Sequence, residues 1–177
     1  MDITQIVHDN QIYGLTKGQG SPTTAFGQKT SMQFEGVMQQ PLNPLALAIA
    51  AGATFVARTF TGEREQLKNL LKEAINHKGY ALIDILQPCV TFNKVNTFKW
   101  YKERVYSLDN NYDPSNKAKA FEKALEFGDE GIPTGIIYKE EGKPIFEEIH
   151  PVIAKDEPLV DRQWEVKNIE KLLQEFV

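Results

Sequence analysis

Two stretches of the chain carry residue types that do chemistry: DNQIYGLTKGQGSPTT at residues 9–24, and LQPCVTFN at residues 86–93, which holds the one cysteine, Cys89. In the first, the Asn10 amide oxygen is a hard ligand suited to magnesium, and a backbone carbonyl two residues on can supply a second oxygen from the same turn. Magnesium held in this way would bridge a diphosphate. Gly14, Gly18 and Gly20 permit close backbone approach and positive φ, and Thr16, Lys17, Ser21 and Thr23 offer donors to phosphate oxygens or to an anionic substrate. On residue types alone, a Gly/Ser/Thr-rich segment after a strand is more often only a loop. A lone cysteine is, by the same standard, more often a buried inert thiol.

The flanking residues predict the elements that must position these stretches. Residues 3–8 are short, β-branched and mostly apolar, which reads as a buried strand delivering the first loop at its carboxyl end. Asn43 and Pro44 form an N-cap and first helical position for a short helix over 45–51, stopped by Gly52. A second strand is expected at 53–58. Thr61 is placed to cap a longer helix whose inner face is Leu67, Leu70, Leu71, Ala74 and Ile75, ending at Gly79. His77, in the last turn, reads as a cation complementing the helix dipole. Residues 80–86 are nearly all apolar, the mark of a strand covered on both faces, and Asp84 within it reads as a hydrogen-bonded buried carboxylate or a strand-edge contact. Strands separated by helices mean an α/β fold with a parallel sheet, which binds ligands at the carboxyl ends of its strands. That rule selects the two chemical stretches.

Beyond residue 93 the character changes. Helices are expected at 98–105, 116–125 and 162–176, and short strands at 134–138 and 144–149, without a chemical motif. The predicted division is therefore an α/β domain over residues 1–93 and an α+β extension over 94–177. Trp100 and Tyr101 lie among lysines, but a helix covering the sheet accounts for them better than base stacking.

With 177 residues, 41% hydrophobic and 25% charged, the chain can bury one substantial core. Its net charge is −4 and its basic residues are scattered, which argues against nucleic acid and against an anionic membrane surface as partners. No apolar run reaches the ~20 residues needed to span a bilayer, and a cytoplasmic location is expected. One cysteine leaves no internal disulfide.

The full strings go further than residue types. Residues 9–19 with Ser21-Pro22-Thr23 resemble the cofactor loop of the beta subunits of 2-oxoacid:ferredoxin oxidoreductases, the pyruvate and 2-oxoglutarate enzymes that use thiamine diphosphate. Residues 86–93 resemble the segment of the same subunits that carries a cluster-binding cysteine, and NTFKWYKERV at 96–105 is similar to the start of their C-terminal region. The resemblance implies a thiamine diphosphate-binding domain, with Asn10 as a magnesium ligand and Ile12 as the carbonyl donor. Gly14, Leu15 and Thr16 would border the cofactor. Leu15 would prop the thiazolium ring, and Lys17 would orient the carboxylate of the 2-oxoacid. Cys89 would be one thiolate of a four-iron four-sulfur cluster. An alpha or fused alpha/gamma subunit would complete the site, with coenzyme A as co-substrate and ferredoxin as electron acceptor.

The family's Gly-Asp-Gly segment, which supplies the partner aspartate to the metal, and its Cys-x-x-Cys pair are not present here. The expectation is therefore the C-terminal part of a beta subunit, inactive in isolation. The rival expectation is a non-catalytic module that docks on partner subunits.

Overall fold

The computed structural model describes residues 1–154, 157–158, 160–163 and 167–175. In chain order the elements are β1 (Ile3–Asp9), β2 (Ile12–Tyr13), β3 (Gln19–Gly20), α1 (Pro44–Ala50), β4 (Phe55–Phe60), α2 (Arg64–Asn76) and β5 (Tyr80–Leu86). They are followed by α3 (Phe98–Lys102), β6 (Val105–Ser107), α4 (Lys117–Leu125), β7 (Ile132–Lys139), α5 (Phe146–Ile149) and α6 (Lys167–Gln174). One compact unit runs from Met1 to Lys143, and residues Pro144–Val177 form a second. The expected division at residue 93 falls inside the first unit.

The main sheet has the order β1-β5-β4-β7-β6. Strands β1, β5 and β4 are parallel, as the alternation of strands and helices predicts; β7 runs antiparallel to β4, and β6 parallel to β7. The α/β fold expected from sequence is therefore present, with a mostly parallel sheet between helical layers. On one face Val56 and Leu82 pack against Leu45 and Ile49 of α1 and Ala120 and Ala124 of α4. On the other, Phe55, Ala57, Ala81 and Ile83 meet Leu70 and Ala74 of α2. Leu45 and Ile49 are fully buried, each contributing roughly 1.5–3 kcal/mol of transfer free energy.

Local signals explain where elements begin. The Asn43 side chain accepts from Ala46 N at 2.9 Å with Pro44 in the first turn, as predicted for α1. Thr61 does not cap α2. Its amide and hydroxyl both donate to Leu86 O, at 3.1 and 3.4 Å, so the residue continues β4 along β5, and the helix starts after Glu63. Ile75, predicted to face the core, is 67% exposed. Strand β1 forms as predicted but is not buried, because it lies at the sheet edge with Ile3 and Ile6 exposed.

The second half departs more. The helix predicted over 98–105 ends at Lys102, and Val105–Ser107 instead pairs with β7 as β6. Strand β7 enters the main sheet beside β4, so these residues build part of the main sheet. Residues 144–149, predicted as a strand, contain the short helix α5, where Glu148 accepts from Ile145 N at 3.2 Å. The terminal helix is present as α6 over Lys167–Gln174, while residues 164–166 and 176 of that prediction lie outside the described residues.

Candidate functional site

Strand β1 ends at the buried Asp9, and two successive side-chain turns set the path of the chain beyond it. Asp9 Oδ1 accepts from Gln11 N at 3.1 Å and from Thr23 Oγ1 at 2.6 Å, while Asn10 Oδ1 accepts from Ile12 N at 3.0 Å. Such Asx turns let a short polar side chain replace a backbone partner. Gln11 takes a positive φ of 55° between them. The chain then forms a small hairpin in which Ile12 pairs with Gly20 and Tyr13 with Gln19.

The tip of this hairpin holds Gly14, Leu15, Thr16 and Lys17. It is closed by Lys17 N donating to Gly14 O and Gly18 N donating to Tyr13 O, both at 3.0 Å. Thr16 Oγ1 donates to Tyr13 O at 3.4 Å. Leu15 is 98% exposed, and Lys17 is exposed as well. Gly18 has a φ of +105°, and a Cβ there would lie 2.5 Å from Ser31 Oγ, which itself donates to Lys17 O at 2.7 Å. The glycine is therefore a steric requirement of the hairpin as well as a conformational one.

The second chemical stretch leaves β5 alongside this loop. Gln87 N donates to Asp9 O at 2.9 Å, and the Gln87 side chain meets His8 Nδ1 at 2.6 Å. Asn93 joins the two stretches. Its backbone N–H donates to Cys89 O at 3.1 Å, and its Nδ2 donates to Asn10 O at 3.1 Å and to Asn96 Oδ1 at 3.2 Å. Its Oδ1 accepts from Val95 N and Asn96 N, both at 3.0 Å. The residue is 2% exposed. Sequence reading places Asn93 in the cysteine segment without a role; an asparagine followed by a turn was the available signal.

Cys89 is a partly buried free thiol whose Sγ accepts from Phe92 N at 3.4 Å. Burial pushes the thiol up, but the amides of Phe92, Thr91 and Asn93, with Lys94, outweigh it and hold the thiol below its ordinary value. That environment suits a thiolate ligand. The donors at the loop suit a hard cation: an amide oxygen has two lone pairs, and Asn10 Oδ1 spends one on Ile12 N. Among the described residues no group of three or more His, Cys, Asp or Glu side chains is gathered to hold a metal.

Two further predictions resolve differently. Asp84 is a hydrogen-bonded buried carboxylate, as one of its two readings had it. Its Oδ2 accepts from Arg58 Nε at 3.3 Å across paired positions of β4 and β5. Burial pushes its carboxyl up to about 7 against the pull of Arg58. His77 is not the dipole-complementing cation expected. It is buried beyond the last turn of α2, with Nε2 2.9 Å from Thr54 Oγ1, and burial together with Lys139 holds its pKa below the ordinary value.

Residues 1–85 match the family described as thiamine pyrophosphate enzyme, C-terminal TPP binding domain. Residues 89–155 match the family described as the C terminal of the pyruvate ferredoxin oxidoreductase beta subunit. The chain is 46% identical over 159 residues to the 2-oxoacid:ferredoxin oxidoreductase subunit beta of Sulfolobus sp, covering 84% of this chain and 52% of that one. It is 35% identical over 156 residues to a 2-oxoglutarate synthase subunit of Methanocaldococcus jannaschii, covering 88% and 57%. A solved 2-oxoglutarate:ferredoxin oxidoreductase from Magnetococcus marinus, with 2-oxoglutarate, coenzyme A and succinyl-CoA bound, superposes with a TM-score of 0.84 at 34% identity. That match covers 97% of this chain and 58% of the other.

The chain belongs to the family of 2-oxoacid:ferredoxin oxidoreductase beta subunits. It spans about half the length of the curated relatives it matches.

Proposed function

We propose that the chain works as part of a beta subunit in the oxidative decarboxylation of a 2-oxoacid, with coenzyme A as acyl acceptor and ferredoxin as electron acceptor. Residues 1–93 would contribute to the thiamine diphosphate domain and residues 94–177 would form the extension, in a cytoplasmic assembly completed by an alpha or fused alpha/gamma subunit. The observation that carries the reading is the direct hydrogen-bonded link from Cys89 through Asn93 to Asn10. A cofactor that releases electrons and a cluster that removes them need a fixed separation, and a buried asparagine bonded to both segments supplies one.

Within this reading Asn10 Oδ1 and the Ile12 carbonyl hold the magnesium of the diphosphate, and Gly14 and Thr16 border the cofactor. The bound thiamine supplies a nucleophilic carbon and an electron sink, which is chemistry no side chain of the loop can provide. The chain's own residues orient and exclude. Leu15 presents an apolar surface that lowers the local dielectric, and Lys17 holds the substrate carboxylate by charge. Cys89 acts as one thiolate of the four-iron four-sulfur cluster. No helix among the described residues is long and apolar enough to cross a membrane.

The reading is tested in the assembled oxidoreductase by replacing Cys89 with serine. The expected result is an altered or diminished cluster signal in electron paramagnetic resonance, with thiamine diphosphate content retained. An unchanged cluster signal would remove Cys89 from the cluster.

A further inference from the structure

On the α1 face of the sheet, at the carboxyl ends of β1, β4 and β5, lies a cleft of about 250 Å³. None of Asn10, Ile12, Gly14, Leu15, Thr16 and Lys17 lines it. Its polar side is formed by Asp9, Gln11 and Asp84 with Arg58, together with Thr23 and Asn43, whose donors go to Asp9 Oδ1 and Ala124 O, and its apolar side includes Leu42, Leu125 and Phe127.

The polar side is short of donors. Asp84 is 1% exposed and Gln11 4% exposed, and Asp84 Oδ1 and Gln11 Oε1 are both buried without a hydrogen-bond partner among the described residues. A buried acceptor that has given up water and gained nothing in return destabilises the fold until a donor reaches it. Arg58 does not relieve it: Nε is taken by Asp84 Oδ2, and Nη1 and Nη2 donate to the Glu126 and Ala124 carbonyls at the end of α4, at 3.2 and 3.4 Å. Asp9 Oδ1 already accepts twice. Arg58 therefore serves Asp84 Oδ2 and the end of α4, and leaves Asp84 Oδ1 and Gln11 Oε1 without a donor.

We propose that this cleft binds a small organic ammonium ion, its N–H groups donating to Asp84 Oδ1 and Gln11 Oε1 and its short apolar body lying against Leu42, Leu125 and Phe127. Donor number selects an ammonium over an alcohol, because two buried acceptors face the cleft and an ammonium brings several N–H groups where a hydroxyl brings one. The apolar wall selects an alkylammonium over a bare metal ion. Asp9 and Gln11 alternate along the chain with Asn10 and Ile12, so a ligand held here braces the turn that presents those two oxygens.

The test uses the full 177-residue chain and three probes of one shape: isobutylammonium, isobutanol and isobutyrate. Saturable shifts of the Gln11 and Asp84 amide resonances are expected with isobutylammonium, at least about tenfold weaker binding with isobutanol, and none with isobutyrate. Asp84→Asn should weaken the ammonium at least about tenfold. Because that variant also disturbs Arg58 and could fail to fold, Leu125→Trp serves as a second. Leu125 is 54% exposed, so the larger ring can occlude the cleft without touching the ion pair, and it should abolish binding. Equal binding of isobutyrate, binding that survives Leu125→Trp in a folded protein, or a cleft that takes up water only and no probe would each overturn the proposal.

Discussion

Asn93 donates from its backbone to the Cys89 carbonyl and from its side chain to the Asn10 carbonyl, so one buried residue ties the cysteine segment to the loop that follows β1. The bonds run to backbone atoms, which fixes the two main chains relative to each other and leaves the Asn10 and Cys89 side chains available. Helices and strands alone would not do this, since both stretches lie beyond the ends of their strands.

Asn93→Ala removes both side-chain donors to Asn10 and Asn96 and the acceptor used by Val95 and Asn96. It should lower stability by about 2–3 kcal/mol in urea unfolding, the range for breaking a buried hydrogen-bond network. Asn93→Asp keeps the acceptor and loses the donors, and should fall between wild type and alanine. A loss under about 0.5 kcal/mol for alanine, the level of an ordinary surface change, would contradict the tie.

Gly18→Ala meets both a φ of +105° and Ser31 Oγ at 2.5 Å, whereas a Cβ on Gly14 would have nothing within 4 Å and the backbone there has no positive φ. The first substitution should cost about 1–3 kcal/mol and the second should be near neutral in thermal unfolding. Equal effects would mean that the hairpin does not depend on the close approach of Ser31.

The stability of the chain should fall as pH rises from about 4 to about 7. Asp84 has its carboxyl raised from 3.8 to about 7 by burial, so the folded state holds a proton in this window that the unfolded state has released. The contribution is fully present below the unfolded value and lost as pH passes through the folded one, at up to ~1.4 kcal/mol per pH unit. Asp84→Asn should flatten that slope in unfolding measured across the window. An unchanged slope would place the titration elsewhere.

Much of this was legible in the sequence, for physical reasons that differ by element. The N-cap of α1 and the apolar run of β5 are local signals, carried by adjacent residues, and both appear where predicted. Thr61 had the residue type of a cap but was claimed by Leu86 O, a partner 25 positions away that no local pattern reveals. Strand β6 exists because β7 offers it a neighbour, so a helical pattern at 98–105 gave way to pairing. At the site, Asn10, Lys17 and Cys89 stand out as candidates by residue type and string. Arg58 as the partner of Asp84, and Asn93 as the tie, do not, because each role rests on contacts between separate strands and loops.

Lys17→Ala in the assembled oxidoreductase should raise KM for the 2-oxoacid by roughly tenfold or more, as expected for loss of a charge-assisted contact, while leaving thiamine diphosphate affinity unchanged. Steady-state kinetics at varied 2-oxoacid concentration read this directly. An unaltered KM would remove Lys17 from substrate binding.

The central claim, that the loop after β1 holds the magnesium and diphosphate of thiamine, is tested most directly by titrating thiamine diphosphate with magnesium into the cofactor-free assembled oxidoreductase and its Asn10→Ala variant. Loss of one metal ligand predicts an affinity lower by about 10–100-fold or more, with iron content unchanged. Equal affinity in the two proteins would contradict the assignment of Asn10 and, with it, the role of the loop.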